Sequence, residues 1–160
     1  MIALTAQPLT AKAFAPFGDV LELRDRPDKM INQDMCGRHH DLARLDFTDG
    51  QAGISLFDAV PRALPYVFDL VERHPQGSQA FIPMSLTEFL IIVAPDQDGM
   101  PAAPVAFISA PGQGINFHRN TWHGVLTPLH APGLFAVVDR IGGGANLQEF
   151  TYATSFVVNK

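Results

Sequence analysis

Two histidine-bearing turns, set in otherwise apolar sequence, hold the residues of this chain best suited to chemistry. One is Phe117-His118-Arg119-Asn120-Thr121-Trp122-His123-Gly124, with an imidazole on either side of a short polar turn. The other, Glu72-Arg73-His74-Pro75-Gln76-Gly77-Ser78-Gln79, lies earlier in the chain. Imidazole changes charge near neutral pH, so it can carry a proton or, when neutral, hold a divalent metal. Glu72 and His74 are two positions apart, so on a strand both side chains leave the same face. Pro75-Gln76-Gly77 then turns the chain, and Gln79 opens the next strand with Phe81 and Pro83 in register. Both turns are expected to serve one shared pocket.

Each of these residues also has a plainer reading. His123 follows Trp122 and precedes apolar sequence, as a buried, hydrogen-bonded core histidine would. His118 could brace its own loop, and Glu72 has Arg73 and Arg62 as possible partners. Gln79 could serve only to satisfy backbone groups. Three arginines, Arg38, Arg119 and Arg140, compete to hold a carboxylate with their planar fork, and the sequence does not choose among them. Asn120 and Thr121 fit the needs of the turn, and His130 reads as an ordinary loop residue. Phe68, Phe81, Phe107, Phe117 and Phe135 are expected in the core rather than against a ligand.

The elements that must position these residues are short strands. Thirteen glycines and thirteen prolines punctuate 160 residues, which disfavours long helices. Thr10 to Gly18 reads as one short helix, capped by Thr10 and ended by Pro16 and Gly18. Strands are predicted at Asp19–Leu23, Ile54–Phe57, Tyr66–His74, Ala80–Pro83, Phe89–Ala94, Val105–Ser109, Gly124–Thr127, Leu134–Arg140 and Phe150–Val158. Arg24–Lys29 reads as a charged loop and Arg38–His40 as loop-like, with turns at Asp96–Gly99 and Pro111–Gly114. No repeat or linker interrupts the chain. The expectation is one all-β domain over residues 1–160, a sandwich or small barrel with one or two short peripheral helices.

Bulk properties narrow the partners. The chain is 47% hydrophobic and 17% charged, which is enough to build a core. Its net charge of −5 and lack of any basic run argue against nucleic acid. A lone cysteine, Cys36, excludes an internal disulfide framework and fits a reducing compartment. Leu4–Leu9 shows no secretory leader, and the apolar run Phe89–Ala94 is too short to cross a bilayer. A cytoplasmic domain acting on a small molecule is expected, with no nucleic-acid or membrane partner.

The two histidine turns resemble the paired motifs of the cupin superfamily, which are double-stranded β-helix barrels. Glu72-x-His74, four residues and Gln79 take the place of the first motif. Glu stands for one His there, and Gln for the Glu. His123 takes the place of the ligand in the second motif, and His118 stands where cupins usually carry proline. More specifically, the chain resembles the ureidoglycolate lyase family. The segments that carry this are Ile31-Asn32-Gln33, Arg38-His39-His40-Asp41-Leu42-Ala43, Glu72 to Pro83, Phe117 to Gly124 and Phe135 to Ile141. Asp34 departs from the glycine usual in that family after Asn-Gln.

The resemblance implies release of urea from ureidoglycolate to give glyoxylate, late in purine (allantoin) breakdown. For that reaction the side-chain chemistry makes His74, His118 and His123 the catalytic candidates, with Arg38, Gln79 and Arg119 expected to bind the substrate. Glu72, His74, Gln79 and His123 would form a metal site for nickel, zinc or manganese, oxygen-rich and weaker than a three-histidine centre. Family analogy also implies a homodimer paired through edge strands. The alternatives are a metal-dependent isomerase of a small carbonyl acid, or a non-catalytic cupin that binds a small anion.

Overall fold

A computed structural model describes all of residues 1–160. In chain order its elements are β1 (Ile2–Thr5), β2 (Gln7–Pro8), α1 (Ala11–Phe14), β3 (Gly18–Leu21), β4 (Lys29–Ile31) and β5 (Cys36–Arg38). β6 (Gln51–Asp58), β7 (Tyr66–Arg73), β8 (Gln79–Pro83), β9 (Phe89–Ala94), β10 (Asp96–Gln97) and β11 (Met100–Pro101) follow. The remainder are β12 (Val105–Ile108), β13 (Gly114–Phe117), β14 (Trp122–His123), β15 (Thr127–Pro128), β16 (Leu134–Ile141) and β17 (Gln148–Asn159). The single helix is short, and Thr10 caps it by accepting from the Ala13 amide at 3.2 Å. No helix is long and apolar enough to cross a membrane.

Two sheets make the barrel. One runs β1-β17-β7-β14-β9-β12-β2 with β15 also on β9; the other runs β3-β13-β8-β16-β6. β1 and β2 lie at opposite ends of the first order, yet only Ala6 separates them in the chain. That sheet therefore has to curl until its edges nearly meet, which gives the barrel-like, all-β architecture expected of a cupin. β9 is buried on both faces. Phe89, Ile91 and Val93 join Phe14, Phe81, Phe107, Ile115, Phe117, Phe135 and Val137 in one core, while Leu90, Ile92 and Ala94 join Phe68, Val71, Trp122 and Phe156 in a second. All five phenylalanines predicted for the core are buried.

The structure departs from the sequence reading in definite places. Gly124–Thr127 is not a strand: pairing stops at His123, the Gly124 amide bonds the Ile92 carbonyl at 2.9 Å, and pairing resumes at Thr127. Gly114–Phe117, hidden behind the Pro111–Gly114 turn, is a strand between β3 and β8. Lys29 and Arg38 are not loop residues but a facing pair in the β4–β5 hairpin. The hairpin turns through Asn32, Gln33 and Asp34, all with positive φ.

Candidate active site

β7 and β14 bring the functional groups together. Glu72 lies directly opposite His123 in the antiparallel pair, and Val93 of β9 lies opposite His123 on its other side. Directly opposed residues share a face, so Glu72 and His123 point to the side on which Val93 meets the inner core. His74 follows at the end of β7, where the Asn120 amide bonds its carbonyl at 3.1 Å and fixes one turn against the other. Gly77 is required here. A side chain at that position would come within 2.9 Å of both Arg140 and Phe47, whose backbone bridges Gly77.

One ligand atom from each of Glu72, His74 and His123 lies within 4.8 Å of the others. His123 is 2% exposed and stacks on Phe117, with centroids 4.2 Å apart and planes 7° from parallel. Its ring is 5.2 Å from that of His74. His123 Nδ1 lies 2.9 Å from the Gly124 carbonyl, and His74 Nδ1 lies 2.8 Å from the Asn146 carbonyl. A carbonyl can only accept, so each Nδ1 carries a proton, and the neutral form of either ring presents its lone pair at Nε2. Both Nε2 atoms are buried with no hydrogen-bond partner. Burial in apolar surroundings pulls the His123 pKa down to about 3, with the nearby His74 adding to the fall and the Gly124 bond opposing it. Burial also raises the Glu72 pKa, against the opposing pull of His74.

Two bare, buried nitrogen lone pairs facing one carboxylate form a donor set that suits a divalent cation. Gln79 is buried on the same strand face as Phe81, its Oε1 is without a partner, and its amide nitrogen bonds Asp139 Oδ2 at 3.1 Å. Glu72 pairs with neither arginine considered for it. Arg73 points the other way, bridging Asp96 at 2.8 Å and lying over Trp122 at 4.4 Å, while Arg62 lies over Tyr66.

The structure does not bring His118 to this cluster. His118 follows the inward Phe117 and so turns outward, where its Nε2 meets Asp19 at 3.3 Å. Arg119 pairs with Asp46 at 3.2 Å and, with Arg44, Ser78 and His118, lines a polar cleft of about 280 Å³. Arg38 sits apart, exposed on the β4–β5 hairpin. Arg140 is spoken for: its guanidinium donates to the carbonyls of Asp49 and Gly143. Sequence reasoning missed Asn146. Its carbonyl takes the His74 proton, and its side chain accepts from the Gln76 amide at 2.7 Å. The available signal was Gly142-Gly143-Gly144, a loop that can approach another turn closely.

Fold and cluster together define a cupin-type barrel with an imidazole–carboxylate centre between its sheets. The family model for ureidoglycolate lyase matches residues 1–159. Ureidoglycolate lyase of Rhodobacter capsulatus is 60% identical over 99% of both chains. Ureidoglycolate lyase of Mesorhizobium japonicum is 48% identical over 99% of both, and ureidoglycolate lyase 2 of Rhizobium meliloti 46% identical over 99% of this chain and 98% of the relative. The chain belongs to the ureidoglycolate lyase family.

Proposed function

We propose that this protein cleaves ureidoglycolate into glyoxylate and urea at the Glu72–His74–His123 cluster. The observation that carries the reading is the convergence of two bare Nε2 lone pairs and one carboxylate, inside a chain of this family. Ureidoglycolate carries a hydroxyl and a urea nitrogen on one carbon. Removing the hydroxyl proton lets its oxygen form the aldehyde carbonyl, the carbon–nitrogen bond breaks, and the nitrogen takes up a proton to leave as urea. No water is consumed.

His74, whose Nδ1 is bonded to the Asn146 carbonyl and whose Nε2 has no partner, takes the hydroxyl proton at Nε2. Glu72, with its raised pKa, can carry a proton to the leaving nitrogen. His123, deprotonated at neutral pH, acts as an acceptor or ligand and not as an acid. With a divalent ion present, Glu72, His74 and His123, together with Gln79, would instead hold nickel, zinc or manganese, which would supply Lewis acidity to the substrate hydroxyl in place of proton transfer by His74 and Glu72. Arg119, on the turn bonded to His74, exchanges Asp46 for the substrate carboxylate.

Purified protein mixed with ureidoglycolate should release glyoxylate well above the spontaneous rate. A rate equal to the blank would return the protein to small-anion binding or to another carbonyl-acid reaction. Chelation should depress the rate, a divalent ion should restore it, and calorimetry should find about one ion per chain. Full activity in metal-free protein would leave proton transfer by the side chains alone.

A further inference from the structure

The turn after β7 and the loop that enters β17 are clamped to each other. His74 Nδ1 donates to the Asn146 carbonyl at 2.8 Å, the Gln76 amide to Asn146 Oδ1 at 2.7 Å, and Gln76 Nε2 to the Ala145 carbonyl at 2.8 Å. These partners lie far apart in sequence, so the bonds fix tertiary geometry rather than a local turn. Gly142, Gly143 and Gly144 offer the loop no side chains, and Ala145 and Leu147 are exposed. Asn146 is therefore the loop's own side-chain anchor onto the turn that carries His74.

We propose that Asn146 is a positioning residue for His74. Its carbonyl selects the tautomer with the proton on Nδ1, and its side chain holds that carbonyl in place through the Gln76 amide. In the neutral ring the consequence is that Nε2, which lies with the Glu72 and His123 ligand atoms, carries the lone pair. Groups that orient a ligating imidazole in this way typically contribute about 10–100-fold to metal affinity. The value of the lone pair to catalysis rests on the function proposed above; the tautomer itself does not.

The experiment compares metal-free wild type, Asn146→Ala and Asn146→Asp through the ring ¹⁵N shifts of His74, and then through zinc titration. In Asn146→Ala, His74 should lose its clean Nδ1–H signature and zinc affinity should fall about 10–100-fold, with the melting transition kept. Asn146→Asp retains an acceptor for the Gln76 amide and should restore both. Asn146→Leu, of similar size but without an acceptor, should repeat the alanine result and guards against simple loosening by truncation. An unchanged Nδ1–H tautomer in Asn146→Ala and Asn146→Leu overturns the proposal. If wild type binds no zinc, the metal reading fails while the tautomer measurement still decides this one.

Discussion

His74 and His123 differ in what their replacement should do. His74 is half-buried at a strand end, so His74→Ala should cost roughly a hundred- to ten-thousandfold in turnover with little change in melting temperature. His123 is fully enclosed beside Phe117, so His123→Ala should lose both activity and some stability. Near-normal turnover in folded His123→Ala would make it a core residue only. The depressed pKa of His123 has a consequence for metal-free protein. The unfolded chain protonates this ring at about 6.5, whereas the folded one resists until about 3. Stability is therefore complete above about 6.5 and is lost as pH falls towards about 3. Urea midpoints between pH 7.5 and pH 5 should fall more steeply for wild type than for His123→Asn, which cannot titrate; equal slopes would contradict the neutral, buried imidazole. At this scale the sequence showed the right residue types and the Glu72-x-His74 face. It could not show that His118 turns outward, because one residue of strand parity separates it from Phe117.

Among the elements, β7 does double service by alternation. Glu72 faces the cluster, and Arg73 on the opposite face ties β7 to Asp96, to Gln148 at 2.7 Å and to the Trp122 ring. Asp96 is held below the usual carboxylate range, first by the bond from the Trp122 indole and then by the Gly99 amide. Arg73→Ala should destabilise the fold by about 1–2 kcal/mol while leaving the metal-binding stoichiometry unchanged, read by denaturation and zinc titration. A fold that melts as wild type does would show this latch to be idle. Strands with strong apolar or β-branched runs, such as Phe89–Ala94 and Leu134–Ile141, were legible from pattern alone. Those built by distant partners were not: β13 follows turn residues, and β5 depends on a hairpin turned by Asn32–Asp34 without glycine. The Gly142–Leu147 loop matters through bonds made about seventy residues away, which no local pattern encodes.

For the molecule as a whole, β6 is an open edge of the five-stranded sheet. Ile54 and Leu56 project from it, 79% and 63% exposed, and Ile82 of β8, 42% exposed, lies in the same row as Leu56 across Ala136 of β16. Gln51–Phe57 carries no charge, and unprotected apolar edges of this length are ordinarily covered. A homodimer is proposed to cover it by antiparallel pairing of β6 with its copy. Leu56→Lys should then give a monomer in sedimentation with an unchanged melting profile at high dilution; a wild-type protein that sediments as a monomer at micromolar concentration would remove the dimer. The Glu72–His74–His123 cluster of this barrel is proposed to split ureidoglycolate without hydrolysis. That proposal is tested most directly by following the nitrogen when wild type and His74→Ala act on ureidoglycolate in urease-free solution. Wild type should give one urea for each glyoxylate, His74→Ala little above the spontaneous rate, and neither should give ammonia. Ammonia formed in step with glyoxylate, or undiminished turnover in folded His74→Ala, would contradict it.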